Sequence, residues 1–363
     1  MNLKVAIVGL PNVGKSTLFS AITRNRAEIA NYPFCTIEPN EALVELPDER
    51  LHVLEELSKS NRRIHATITF VDIAGLVKGA SEGQGLGNKF LTNIRDCDMI
   101  LHCVRCFDSQ DIIHVEGRVS PKDDAEIINL ELVLSDLDSL ISIVPKLEKL
   151  VRTNKDKEQT LATLKRMLQH LEAGMPLRSL PLTPDEAKSV KEYNFLTAKP
   201  VLYVGNVSED DIQNGNNPYI QALEALAKHE SAACVTVSAK LEEELSQLSG
   251  DEAKDFLEMC GLSESGLARI IRKSFDLLGL ATYFTVGEIE ARAWTIRKGT
   301  LAPQAAGEIH SDLETKFIRA EVIGYDDFVA CTSRVIAKER GLARTEGKTY
   351  PVKDGDVILF FHG

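Results

Sequence analysis

Through the first third of the chain, short apolar runs alternate with stretches of helical spacing. LKVAIVGL is followed by a helix from about Ser16, ATITFVDIAG by a helix near 88–96, and then comes DMILHCVRCF. Apolar strands separated by helices predict a parallel sheet covered on both faces. From about Asp124 the period changes. Leu130, Val133, Leu134, Leu137, Ile141 and Val144 recur at helical spacing, and Pro145 is expected to kink or end that helix. After a polar turn, TNKDKEQ, a second stripe of Leu161, Leu164, Leu168 and Leu171 stops at Gly174-Met175-Pro176. Thr183 before Pro184 reads as an N-cap with proline at the first helical position. The strand–helix pattern resumes at AKPVLYVGN and CVTVSAK, so an all-helical insertion, expected to be an antiparallel hairpin, divides one α/β domain. Two helices packed on their own domain and a partner-binding arm both fit that pattern. From about Gly279 come TYFTVGEIEARAWTIRKGT, a helix near 303–313, FIRAEVI and VKDGDVILFFHG, which make a small α+β unit.

Composition narrows the class. With 363 residues, 44% hydrophobic and 26% charged, the chain has room for several domains and a sizeable core. The formal net charge of -12 argues against a protein that coats nucleic acid along its whole surface, while leaving room for a local basic patch. No apolar run approaches the length of a membrane span. The first apolar stretch lacks a small-residue cleavage site and reads as a strand, so the expected location is the cytoplasm. Seven cysteines without disulfide-like spacing fit a reducing compartment. Cys103 and Cys106 form one CxxC beside His102, but a metal site needs about four ligands and no second pair follows, so they read as structural.

The chemistry begins at GLPNVGKS, residues 9–16, which matches G-x-x-x-x-G-K-[ST] after a strand and at the start of a helix. Asn12, Val13, Gly14, Lys15, Ser16 and Thr17 are the candidate phosphate-binding residues. Backbone N–H groups and the helix N-terminus supply a positive field to the β-phosphate. Lys15 is expected to reach the β- and γ-phosphates, and the Ser16 hydroxyl to ligate Mg²⁺. In DIAG, residues 72–75, Asp72 ends a strand and is placed to hold Mg²⁺ through a water. The Gly75 N–H is placed to bond the γ-phosphate, so hydrolysis would release the loop. Thr36, in NYPFCTIEPN, is the candidate for a second mobile loop with its hydroxyl on Mg²⁺; a plain loop threonine is the alternative. Ser238, Ala239 and Lys240 follow the strand CVTV, where such a loop supports a base with a backbone N–H.

The loop YVGNVSE, residues 203–209, bears on which base is bound. A guanine reader is expected to carry Asn-Lys-x-Asp there; this chain has Asn206, Val207 and Glu209. Guanine offers N1–H and N2–H₂ as a donor pair to a short carboxylate, whereas adenine offers an N6 donor beside an N1 acceptor. Glu209 is one methylene longer than Asp and does not fall in the same place. Asn pairs with adenine N6 and N7 elsewhere, so Asn206 remains a base ligand, with Val207 as apolar cover. The expectation is ATP, with GTP weaker. Leu76, where many switch proteins have a water-orienting Gln, cannot hydrogen-bond. His114, in DIIHVEG, leaves the sheet on its carboxyl side and is a candidate to align water; a surface histidine is the alternative. Lys15, Gly75 and His114 are therefore the candidate catalytic residues.

DIAGLVKGASEGQGLGNKFL and NYPFCT resemble the Obg group of P-loop NTPases. Asn-x-x-Glu, the helical insertion and RAWTIRKGTLAPQAAGEIHSDLETKFIRAEVI are similar to its YchF subfamily, the Obg-like ATPases, and the likeness covers essentially the whole chain. The resemblance implies an α/β P-loop NTPase G domain with a helical coiled-coil insertion and a C-terminal TGS domain of β-grasp fold. Expected boundaries are 1–128 and 197–277 for the G domain, 129–196 for the insertion and 278–363 for the TGS domain. Pro145 departs from a long, straight coiled coil. The resemblance also implies ATP hydrolysis with Mg²⁺, and a ribosome or ribosomal RNA as partner, without a membrane or a DNA sequence-reading role. As in some Obg-like relatives with PNVGKS, Asn12 is a candidate ligand for a monovalent cation such as K⁺. Arg292, Arg297, Lys298, Lys316 and Arg319 are candidates for a basic face. Rival readings are a GTPase of the same fold and an adaptor whose nucleotide only stabilises the fold. A metabolite kinase is disfavoured by the DxxG and Asn-x-x-Glu loops and by the lack of an Arg-rich lid.

Overall fold

A computed structural model describes residues 3–24, 38, 40–73, 85–109, 112, 114, 117–153, 155–214 and 217–363. Two six-stranded sheets organise them. The first contains β1 (Lys4–Val8), β2 (Glu41–Leu46), β4 (Ala66–Asp72), β5 (Met99–Arg105), β6 (Val201–Asn206) and β7 (Ala233–Val237), in the order β2-β4-β1-β5-β6-β7. All neighbours are parallel except the edge pair β2–β4. Alternate residues feed opposite cores. Ala6 and Val8 join a cluster with Phe90, Ile94, Ala125, Ile128 and Leu223. Val5 and Ile7 join Leu18, Ile22, Ile270 and Ile271 on the other face. This two-sided burial is why the strands read as continuous apolar runs.

The helix Pro121–Val151 runs unbroken for 31 residues. Its start packs on the sheet, while Leu140, Val144 and Leu147 meet Leu164, Met167 and Leu171 of the helix Glu158–Glu172. The short link between the two helices makes the pair antiparallel. Of the two outcomes expected at Pro145, a kink or an end, the helix does not end there. Proline leaves the Ile141 carbonyl without its donor. Ile141 is 55% exposed, so water can satisfy that oxygen, while the buried Val144 and Leu147 hold the seam together.

A buried polar network fixes the insertion to the sheet. Arg178 donates to Glu230 and, at 3.2 Å, to Asn129. Asn129 donates to Tyr203 Oη at 2.7 Å and to Glu230 at 2.9 Å, and Tyr203 donates to Glu230 at 2.7 Å. Burial and the Arg178 guanidinium push the neighbouring His102 down to about 3, so it stays neutral. Asp136 on the long helix accepts from the backbone N–H groups of Leu196 and Thr197 at 3.0 and 2.7 Å.

The second sheet contains β3 (Arg63–Ile64), β8 (Leu280–Val286), β9 (Ala291–Arg297), β10 (Phe317–Gly324), β11 (Arg344–Glu346) and β12 (Asp356–His362). Its order is β11-β10-β12-β8-β9-β3, with β12 and β8 parallel at the centre, β10, β11 and β9 antiparallel to their neighbours, and β3 parallel to β9 at the edge. The four strands β9-β8-β12-β10 form the β-grasp core. The stretch near 303–313 is two short helices, Ala302–Gly307 and Ser311–Thr315, rather than one.

β3 belongs to the first third of the sequence, yet it pairs with β9. The preceding helix, Glu49–Ser58, buries Leu51 and Leu54 in one cluster with Phe284, Ala291 and Ala293. Arg50 stacks on Phe284 at 5.1 Å and pairs with Asp354 at 2.7 Å. One residue, His65, separates β3 from β4. The helix Glu49–Ser58 therefore packs on the C-terminal sheet, and Arg63–Ile64 adds a strand to it. Among the described residues, no helix is long and apolar enough to cross a membrane.

Candidate nucleotide site

The site forms where β1, β4, β5 and β6 end. A Cβ on Gly9 would lie 2.6 Å from the Cys103 carbonyl oxygen, so only glycine lets the loop leave β1 this close to β5. Asn12 (φ 64°) and Gly14 (φ 92°) are both left-handed, and the helix Lys15–Arg24 follows directly. That geometry turns successive backbone N–H groups toward one concavity, at a helix N-terminus. Ser16 is exposed in the first turn and Thr17 is half-buried. Lys15 Nζ donates to Asp72 Oδ1, joining the phosphate-loop lysine to the last residue of β4. Asp72 is placed by its register opposite Ile7 of β1.

Asn206 ties the loops together. It is 4% exposed, its Nδ2 donates to the Val13 carbonyl at 2.9 Å, and its Oδ1 accepts from the Ala239 N–H at 2.8 Å. In the Ser-Ala-Lys loop, the Ala239 N–H is thus bonded to Asn206. Val207 lies in the core cluster with Val13 and Ile220 rather than on the surface of the loop. Glu209 opens the helix Glu209–Asn214 and accepts from Lys240 Nζ at 2.9 Å. Ser238 caps the helix Ala239–Leu245. The Asn-x-x-Glu and Ser-Ala-Lys stretches therefore meet at two points, Asn206–Ala239 and Glu209–Lys240.

His114 is docked rather than exposed as a surface residue. Its Nε2 lies 2.9 Å from Asp124 Oδ2, with the two side chains 6% and 3% exposed. Asp124, in the first turn of the long helix, was not singled out from the sequence. An acidic residue there is an ordinary helix-terminus feature, and nothing in the nine intervening positions announces a partner. Burial raises its carboxyl above the usual range, with His114 acting in the opposite direction. Cys103 and Cys106 are buried, and burial pushes the Cys103 thiol up to about 12. Thr36, Gly75 and Leu76 lie outside the described residues.

The five basic residues do not form one face. Strand alternation and the β8–β9 and β10–β12 registers put Arg292 on the side opposite Arg297 and Arg319. Arg292 stacks on Trp294 at 4.1 Å, Arg319 on Phe361 at 4.7 Å, and Arg297 pairs with Asp98 at 3.2 Å. Lys298 and Lys316 lie just beyond strand ends.

A parallel sheet with this phosphate loop and a paired Lys15–Asp72 defines a P-loop NTPase. Residues 4–146 match the family model MMR_HSR1, described as a 50S ribosome-binding GTPase, and residues 280–362 match YchF-GTPase_C, described as a protein of unknown function. The chain is 51% identical to the ribosome-binding ATPase YchF of Haemophilus ducreyi and 50% identical to that of Bacillus subtilis, over 99% of both chains in each case. A solved structure of the Schizosaccharomyces pombe YchF GTPase superposes with a TM-score of 0.90 at 39% identity, covering 99% of this chain and 98% of that one. The chain belongs to the YchF family.

Proposed function

We infer that this chain is a Mg²⁺-dependent ATPase switch of the cytoplasm that works on the ribosome. The observation that carries the reading is the Lys15–Asp72 pair beside the concave loop of residues 9–14. A cation and a carboxylate held together there are the two groups that a phosphate–Mg²⁺ unit would separate and engage. The oxygen donors fit a hard cation: the Asp72 carboxylate bonds Lys15, Ser16 follows Lys15 in the first helical turn, and Thr36 would add a further hydroxyl. Bound there, Mg²⁺ would neutralise charge on the β- and γ-phosphate oxygens.

Lys15 would leave Asp72 for those oxygens, and the Gly75 N–H would report the γ-phosphate. His114 would align the attacking water, and Asn12 would help hold K⁺. Asn206, Val13 and Ala239 set the spacing between phosphate and base loops. Glu209, held toward Lys240, lacks the short reach that pairs with guanine, which supports ATP over GTP. Both bacterial relatives carry the name ribosome-binding ATPase, which supports the substrate and the partner.

Calorimetry of ATP and GTP on the full chain tests the base. ATP is expected to bind more tightly; tighter GTP would transfer the reading to a GTPase. Ribosome co-sedimentation in the ATP, ADP and empty states tests the switch. Equal binding in all three would favour the adaptor.

A further inference from the structure

The hydrolytic reading names a histidine; the structure adds what holds it. We propose that Asp124 is a positioning residue for hydrolysis: by accepting a hydrogen bond from His114 Nε2, it fixes the imidazole tautomer in which Nδ1 is the proton acceptor. This rests on the reading of His114 as the residue that aligns the attacking water.

Three observations carry it. First, the contact is short and shielded, at 2.9 Å with both side chains nearly buried. A buried carboxylate beside an imidazole orders the ring and stabilises its protonated form, as the buried aspartate does in hydrolytic triads. Second, Asp124 is itself immobilised. Its backbone N–H donates to the Ser120 carbonyl at 2.8 Å, and its neighbours Ala125 and Ile128 are fully buried in the sheet core. Third, the placement is directional. His114 lies in the segment leaving β5, and the carboxyl-terminal part of that strand adjoins the phosphate loop, where Cys103 Sγ donates to the Val13 carbonyl. The dyad is thus built on the carboxyl side of the sheet that carries Lys15 and Asp72.

The chemistry balances without another reactant. Nε2–H stays hydrogen-bonded to Asp124. As the water oxygen bonds phosphorus and the bond to the ADP oxygen breaks, one water proton passes to Nδ1. The resulting imidazolium, facing the Asp124 carboxylate, then returns that proton to a product phosphate oxygen. An Nδ1–H tautomer would present the wrong nitrogen to the carboxylate and no acceptor to the water.

A capping role for Asp124 at the helix start would be served equally by Asn, so Asp124→Asn separates the two. In single-turnover ATP hydrolysis by the full chain, Asp124→Asn is expected to slow the chemical step on the order of 10²–10⁴-fold. ATP affinity, measured separately, is expected to change less than about 2-fold, since the interaction acts on the transition state. His114→Ala should lose a similar amount, and the double variant little more, because the two act as a unit. Asp124→Glu, which restores the charge, should recover part of the rate. The pH profile supplies a second readout. The charged and titratable groups around the carboxylate are His114, Asp123 (itself paired with Arg118) and Cys106. The rate should fall as acid protonates Asp124, and that limb should vanish in Asp124→Asn.

If His114→Ala is slow while Asp124→Asn keeps rate and affinity, the positioning role is overturned and the reading of His114 survives. If His114→Ala is itself unimpaired, the hydrolytic reading of His114 fails first. Should Asp124→Asn not fold, ¹⁵N NMR of the wild-type imidazole decides. The Nε2–H form is expected, and the Nδ1–H form would overturn the proposal.

Discussion

Asn206 shows how much one residue can organise. Its amide joins the Val13 carbonyl to the Ala239 N–H, and a Cβ on Gly14 would lie only 2.2 Å from its Nδ2. The sequence reading makes it a base ligand; its bonds also space the phosphate loop from the loop that begins at Ser238. Asn206→Ala should cost about 1–3 kcal/mol, because two buried backbone groups lose their partners. A spacer predicts that ATP and GTP affinities fall together. Calorimetry showing loss of one nucleotide only would return Asn206 to base recognition. Val207 teaches a related lesson. Its side chain is in the core, so a lysine placed there to imitate a guanine site would meet apolar neighbours instead of a base.

The helical insertion belongs to the scale of elements. Its periodicity was legible because two long helices bury one stripe each, and a stripe repeats in sequence. Its attachment was not, because Asn129, Arg178, Tyr203 and Glu230 come from four separate segments and none is unusual alone. Removing one partner should therefore hurt more than a surface ion pair would suggest. Glu230→Ala leaves the Arg178 guanidinium buried without its carboxylate, an effect typically worth about 3–5 kcal/mol. Urea unfolding should show it as a lower midpoint with an unchanged slope. A loss below about 1 kcal/mol would mean the network is solvated, and the arm then hinges where the structure shows a fixed joint.

At the scale of the whole molecule, the C-terminal sheet reaches back into the first third of the chain. Leu51 and Leu54 are fully buried, partly against Phe284, Ala291 and Ala293. Ending the chain at Leu278 should uncover that helix and β3 together. Such a fragment should bind a hydrophobic dye and unfold at lower temperature, since losing large buried contacts costs several kcal/mol each, about 2–5 for a leucine. A fragment as stable as the intact chain would show that this packing contributes little. The link also runs toward the nucleotide. β4 begins one residue after β3 and ends at Asp72, which holds Lys15.

Local sequence was sufficient for whatever repeats or touches its neighbours along the chain. Alternating apolar runs specified the parallel sheet, a helical stripe specified the hairpin, and GLPNVGKS specified the phosphate loop, because that loop's backbone geometry depends on glycines at fixed spacing. Tertiary structure decided the rest. It passed the long helix through Pro145, where the exposed face at Ile141 and the buried seam of Val144 and Leu147 accommodate the lost bond. It set Arg292 on the face opposite Arg297 and Arg319, since strand register decides which side each one takes. It paired His114 with Asp124, and β3 with β9. Pairing across the chain depends on which surfaces meet once the cores have formed, and no local pattern of side chains encodes that meeting.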